Sequence, residues 1–370
     1  MPSQRRIAAI GAVATVFAAC ASPQQQAPVV RAAPIAATDT VAEKGDAADD
    51  AEIWVHPTAP ERSLILGTNK KGGLEVYGLD GHRRATLAPG LEPNNIDVRY
   101  GIAVAGEVRD IAVASVRGSA TGLQAWWIDR DGSLVAAGPV LPVFDGKEPY
   151  GCCLYRCARD GALYAFATSK TGDVEQWRLL PQADRTLKAE RVRSFTVGSQ
   201  LEGCVADDEW GAFYVSEERV AVWRYGAEPG DGTGPDDRRC VARAGKHGFK
   251  ADVEGLTLVC ARDGRGALVA SMQGESRFWL FDRDGDNALR AIFDPIAGPN
   301  GDEVTGTDGV CGTACALGPS LPHGVLVCQD DRVPGGGQGF KLFAWEAIAG
   351  DLLPVDPLWN PRSTTWLRRN

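Results

Sequence analysis

The sequence predicts an all-β chain folded as a six-bladed β-propeller, and three observations carry that expectation. Glycine (44) and proline (22) are abundant while methionine is scarce (2), a composition of many turns between short strands. A unit of two apolar strands separated by a polar break, the second strand rich in aromatics, recurs six times. The units keep a spacing of about 50 residues, the length of a propeller blade built from four short strands. At 370 residues the length alone would suggest two or three domains. The six units, running from about 46 to 366, call for one.

The first twenty residues lie outside that repeat. Arg5 and Arg6 precede an apolar run from Ile7 to Ala19. At about 13 apolar residues it is too short for a membrane span of about 20 and reads as a secretory signal. Its end, Phe17-Ala18-Ala19-Cys20, resembles a bacterial lipobox. Residues 1–20 are therefore expected to be a lipoprotein-type signal peptide, with Cys20 as a lipid anchor. The expected address is an exported one: outer membrane or cell surface as a lipoprotein, or periplasmic or secreted. Residues 21–44, rich in Pro, Ala and Gln without periodicity, read as a flexible linker. Residues 45–370 form the propeller domain.

The six units are Leu64–Tyr77, Ile111–Trp127, Leu163–Trp177, Ala212–Trp223, Ala267–Phe281 and Val325–Trp345. Thr68, Ser115, Thr168, Ser216, Ser271 and Cys328 hold the same place in each, 47 to 57 residues apart. Just after that place stand Lys70 and Lys71, Arg117, Lys170, Glu217 and Glu218, Gln273, and Gln329 with Asp330. Some 14 to 20 residues upstream stand Asp49 and Asp50, Asn94 and Asn95 with Asp97, Tyr150, Glu202, Glu254 and Asp308. Each alone has a bland reading. Asp49-Asp50 could solvate a strand start, Glu202 and Glu254 precede glycines as turn-flanking charges would, and Lys70-Lys71 before Gly72-Gly73 looks like a plain hairpin. Recurrence in six phases argues against all of these together. The innermost strands of a propeller line its channel, so two rings of polar side chains should face one opening, one arc acidic and the other basic.

Such an opening suits an anionic ligand held partly by cations. Lys plus Arg (39) against Asp plus Glu (48) gives a formal charge of −9, which argues against a nucleic-acid partner. The acidic arc offers oxygen donors without His or Cys, the donor set of Ca²⁺. The four His, at 56, 82, 247 and 323, fall outside both rings. Asp282–Asp286 lacks the distal Glu of an EF-hand loop and reads as a hairpin turn. After export, the nine Cys beyond Cys20 are disulfide candidates, with at least one left unpaired. Cys152, Cys153, Cys157 and Cys204 could pair among themselves, as could Cys240 with Cys260 and Cys311 with Cys315. No His stands at zinc-ligand spacing from any of them. Cys153 and Arg159 match a cysteine-phosphatase spacing, but no glycine between them could form a phosphate cradle.

Several stretches resemble the β-propeller phytases, the calcium-dependent alkaline 3-phytases of bacteria. They are Asp46–Trp54, Thr68–Leu74, Asn94–Tyr100, Pro149–Gly151, Leu201–Glu209, Ala251–Thr257, Thr307–Gly309 and Gln338–Leu342. The resemblance implies a six-bladed propeller, a monomer, that hydrolyses phosphomonoesters of myo-inositol hexakisphosphate (phytate), preferably as its calcium complex. It implies Asp46, Asp49, Glu202, Glu217 and Glu254 as ligands of catalytic calciums, and Asp50 and Asp308 as ligands of stabilising ones. It implies Lys70, Lys71, Arg117, Tyr150 and Lys170 as phosphate-binding groups, and the repeat sets Gln273 beside them. Lys70, Glu202, Glu217 and Glu254 are then the catalytic set. Ala51 stands where the family has Pro, and the family's acidic residue upstream of the Asp pair is matched only by Asp39 or Glu43 after a gap. Several Ca²⁺ ions would neutralise cup and substrate and activate a water for in-line attack on phosphorus, with a neutral to alkaline optimum. Two other readings stay open. A calcium-dependent lactonase or esterase propeller would need no basic arc, and a non-catalytic surface binding module would need no ligand ring.

Overall fold

Six sheets succeed one another along the computed structural model, which describes residues 27–246 and 248–363. The expected signal peptide with Cys20 lies outside those residues, as does His247. Within each sheet the consecutive strands form an antiparallel meander, as the short connections between them favour. The first strands are Ala48–Trp54, Glu92–Val104, Cys152–Arg156, Leu201–Asp207, Val253–Cys260 and Val310–Thr313 for blades 1 to 6. Each lies against the first strand of the next blade, and the sixth lies against the first, which closes the ring. Among the described residues no helix is long and apolar enough to cross a membrane. Asp282–Asp286 lies in the connection between Arg277–Asp282 and Leu289–Pro295, the hairpin turn expected of it.

Apolar side chains of the strands fill the wedges between blades. Phe166 of blade 3 stacks on Phe213 of blade 4 with ring centroids 4.0 Å apart, and both are fully buried. Burying one such ring is worth about 1.5–3 kcal/mol. Tyr77 of blade 1 meets Phe340 of blade 6 edge-on at 6.1 Å, across the closure of the ring.

The shared small polar position stitches the blades together at the axis. Each hydroxyl is buried and donates to a carbonyl on, or two residues before, the first strand of the next blade. Thr68 donates to Asn94 O (2.5 Å), Ser115 to Tyr150 O (2.7 Å) and Thr168 to Glu202 O (3.2 Å). Ser216 donates to Glu254 O (2.9 Å) and Ser271 to Asp308 O (2.6 Å). In the sixth unit, where Cys328 replaces the hydroxyl, Gln329 Nε2 donates to Ala48 O (3.3 Å) and Gly309 N to Asp49 O (2.9 Å). The repeat therefore fixes the backbone of the very residues expected to form the site.

Two expectations are corrected. The described part of the supposed linker is folded, not free. Val29–Ala32 pairs in parallel with Leu289–Pro295 as a fifth strand of blade 5, and Ala36–Ala37 forms the outermost strand of blade 6 on Gly339–Ala344. The chain's start thus completes the blade that its end leaves short, covering open strand edges with backbone hydrogen bonds. Nor do the cysteines pair: all nine are free thiols among the described residues. Cys240 sits exposed on the outermost strand of blade 4 while Cys260 sits on the innermost strand of blade 5.

Candidate active site

A cavity of about 600 Å³ opens at the start of the innermost strands, lined by Asp46, Lys70, Tyr150, Glu202, Glu218, Glu254, Gln273 and Asp308 among others. Four of these precede a glycine on or just before an innermost strand: Tyr150-Gly151, Glu202-Gly203, Glu254-Gly255 and Asp308-Gly309. The glycines are not turns. A Cβ at Gly151 would stand 1.9 Å from Glu202 O, and one at Gly203 would stand 1.9 Å from Glu254 O. Only glycine lets adjacent first strands approach so closely, and that approach sets the preceding side chains around one axis.

Glu202, Glu218 and Glu254 bring carboxylate oxygens within 4.8 Å of one another, and all three are buried. Crowding shows in the proton affinities of Glu254 and Glu218. Glu254 is raised well above the usual carboxylate range by burial and then by Glu202. Glu218 is pushed up to about 7, again chiefly by burial. Asp49 and Asp308 are raised for the same first reason, against the pull of Lys70. Buried Asp49 Oδ2, Asn94 Oδ1 and Glu254 Oε2 have no hydrogen-bond partner among the described residues. Leaving such groups unmatched costs several kcal/mol unless a cation joins them. Clustered, partly orphaned oxygen donors without nitrogen or sulfur fit a hard cation such as Ca²⁺.

The basic side is built differently. Lys70 Nζ lies 2.7 Å from Asp49 Oδ1 and 3.5 Å from Asp308 Oδ2, and it also pairs with Asp46 at the exposed rim. Burial works against its charge, but the Asp49 and Asp308 carboxylates outweigh it and hold the ammonium protonated. The Tyr150 ring carries two cations, Lys170 Nζ at 4.4 Å and the Arg117 guanidinium at 5.5 Å from its centroid. Burial, then the charges of Glu202 and Glu254, raise the Tyr150 hydroxyl, which stays a donor.

Other expected residues fall elsewhere. Glu217 does not line the cup: its Oε1 accepts from Ser199 N and Oγ (2.8 Å each) and its Oε2 from Trp223 Nε1 (2.8 Å). Side chains alternate along a strand, so its neighbour Glu218 takes the inward place. Asp50 sits deeper, beside a cavity of about 20 Å³, and its Oδ2 accepts from Asn95 Nδ2 and Ile96 N at 3.2 Å each. Lys71 points away, donating to Lys44 O at 2.8 Å. Gln273 spends its amide on Asp308 Oδ1 and so orients that carboxylate. The sequence reading missed Gln338, whose Oε1 accepts from Ala47 N (2.5 Å) and Ala48 N (2.9 Å) and whose Nε2 donates to Asp331 (2.5 Å). It opens the last of the matching stretches, and that was its one visible signal.

Fold and cup together define a closed six-bladed propeller whose acidic mouth, flanked by fixed cations, suits an anionic ester and hard metal ions. The comparisons agree. The phytase family model matches residues 6–364. The 3-phytase of Bacillus subtilis (strain 168) is 39% identical over 336 residues, covering 88% of this chain and 87% of that protein. A crystal structure of a protein of unknown function from Dyadobacter fermentans DSM 18053 superposes with a TM-score of 0.54 at 9% identity. It covers 84% of this chain and 97% of that one, a likeness of fold alone. The chain belongs to the phytase family.

Proposed function

We infer that this cup hydrolyses phosphomonoesters of phytate, releasing inorganic phosphate and lower inositol phosphates, and that it does so with Ca²⁺. The observation that carries the reading is the crowded, partly orphaned carboxylate cluster beside two cations fixed on one tyrosine ring, in a chain of the phytase family. Asp49, Glu202, Glu218, Glu254 and Asp308 would hold the ions. When bound, the ions neutralise the cluster, polarise a phosphoryl oxygen and lower the pKa of a water.

The chain's own groups do the rest. Arg117 and Lys170, held over Tyr150, present positive charge to substrate phosphates before any substrate arrives, so little reorganisation is needed. Lys70 supplies a protonated ammonium at the cup floor that stabilises charge on the equatorial oxygens of the transferred group. Asn94 Nδ2 donates to Glu202 Oε1 (3.2 Å) and Gln273 to Asp308, which fixes both carboxylates in orientation. A lactonase would have no use for the Arg117–Tyr150–Lys170 stack, and a bare binding module no use for the carboxylate cluster.

Phosphate release from phytate by the purified protein, with and without millimolar Ca²⁺, tests the reading. Calcium-dependent release supports it; release that survives complete calcium removal refutes the metal requirement, and no release at any calcium level refutes the activity. The Arg5-Arg6 and Ile7–Ala19 pattern further supports export with an anchor at Cys20. Cys20→Ser should then move the protein from the membrane to the soluble fraction.

A further inference from the structure

Asp308 reaches the cup by a different route from its neighbours. Asp49, Glu202 and Glu254 lie within innermost strands, and Glu218 directly follows strand Ala212–Glu217. Asp308 lies two residues before its strand, Val310–Thr313, at the end of an irregular stretch, 302–308. Its place therefore depends on what that stretch is fastened to. The fastenings come from the second and third strands of blade 6, Val325–Asp330 and Gly339–Ala344. Gln329 Oε1 accepts from Asp308 N (2.9 Å), and Asp330 Oδ1 accepts from Thr305 N (2.8 Å) and Thr305 Oγ1 (3.1 Å).

The start of the stretch is held by Lys341, whose side chain is fully buried. Its Nζ donates to Glu303 O (2.6 Å), Asp302 O (3.1 Å) and Asp302 Oδ1 (2.6 Å), and lies 2.8 Å from Asp330 Oδ2. Two carbonyls and two carboxylates around one buried cation make the oxygen shell that a hard metal ion would take. Here the chain supplies the cation itself, on a stem that cannot dissociate. Asp330 is buried as well, and its two oxygens join the ammonium to Thr305 in the middle of the stretch. Lys341, Asp302, Glu303 and Asp330 do not line the cup cavity.

We propose that Lys341 is a positioning residue for the calcium cup: its ammonium is a resident cation that orders residues 302–308 and holds Asp308 ready before any ion arrives. The inference rests on the phytase reading and adds to it a residue that touches neither calcium nor substrate. With the stretch ordered in advance, an arriving Ca²⁺ meets a formed ligand. Without the ammonium, the Asp302 and Asp330 carboxylates repel each other and the stretch loosens. Ca²⁺ must then bind a conformation that is only partly populated. Apparent calcium affinity falls by that fraction, whereas the loaded cup, once formed, is the same.

The test uses the full protein with Lys341→Met, with Lys341→Met combined with Asp330→Asn, and with Asp302→Asn. The double variant keeps an acceptor for Thr305 and strands no carboxylate at position 330, which guards against loss of folding in the single one. The Asp302 side chain is 36% exposed, so its variant spares the interior. Phosphate release from phytate and thermal melting are each followed against Ca²⁺ concentration. The calcium concentration for half-maximal release should rise about tenfold in the Lys341 variants and about threefold in Asp302→Asn, with kcat at saturating Ca²⁺ within about twofold of wild type. Melting should be lowered without calcium, and the gap to wild type should close as calcium is added. A lysine that is only architectural would lower melting equally at every calcium level and leave the half-maximal concentration in place. A folded double variant with the wild-type half-maximal concentration therefore overturns the proposal. Should neither Lys341 variant fold, Asp302→Asn decides by the same measure. A wild-type protein inactive on phytate overturns the phytase reading, and whether calcium closes the melting gap then decides Lys341 alone.

Discussion

The two ends of the propeller channel carry the same kind of residue and treat it in opposite ways. At the far end, buried Asp97 and Asp207 and half-buried Asp208 border a cavity of about 150 Å³. There Arg283 grips Asp207 through two bonds of 2.6 Å, and Arg99 bridges Asp97 (2.7 Å) and Asp208 (2.9 Å). Backbone amides of Leu154 and Arg156 add bonds to Asp97 and Asp208. At the mouth, Glu202, Glu218 and Glu254 crowd together without any such match, and oxygens are left orphaned. Buried acid on its own therefore says little. A carboxylate the fold has matched with arginine belongs to the architecture, whereas a cluster left unmatched has its partner outside the chain.

That contrast can be broken by experiment. The largest effect should come from the matched end. Asp207→Ala strands the buried Arg283 charge and should cost about 3–5 kcal/mol in denaturant unfolding. The calcium concentration for half-maximal activity should stay unchanged in the protein that folds. At the mouth, Glu202→Gln should lower calcium-dependent phosphate release by about 100-fold or more, an effect of about 2.7 kcal/mol. Melting of its calcium-free form should be unchanged or raised, because a repulsive buried charge is gone. A large loss of calcium-free stability would place Glu202 with the architectural acids.

Adjacent residues give a finer test. Glu217→Ala removes the acceptor for Ser199 and Trp223 and should destabilise the fold by about 1–3 kcal/mol while leaving the calcium response in place. Glu218→Gln should do the reverse, weakening the calcium response with little change in calcium-free melting. Equal behaviour of the two variants would erase the assignment of Glu218 to the cup. The smallest effect is expected from Thr168→Val, about 1 kcal/mol in chemical denaturation from loss of one stitching hydroxyl at the axis. A cost near zero would mean that the glycine approach alone holds blades 3 and 4 together there.

Much of this was legible because the blades repeat. Thr68, Ser115, Thr168, Ser216 and Ser271 announced the period, and their hydroxyls hold the strands that carry the site. What escaped had physical causes. Glu217 and Glu218 are identical side chains one residue apart, and a slip of one turns a strand residue to the other face. The glycines after Glu202 and Glu254 read equally well as turn residues, because close approach of strands leaves no mark beyond the missing Cβ. Val29–Ala32 and Ala36–Ala37 gave no periodicity, since short outermost strands join a sheet through backbone bonds and need no alternating pattern.

Those two strands would also shorten the leash of the anchor proposed at Cys20. With residues 21–44 loose, an enzyme tethered at Cys20 would roam a wide hemisphere above its membrane. Pairing that begins at Val29 leaves nine steps of chain from Cys20, a reach of no more than about 30 Å even when taut. A pull on that leash would load the parallel Val29–Ala32 pairing in shear along its length, so the tug falls on blade 5 before it reaches the mouth.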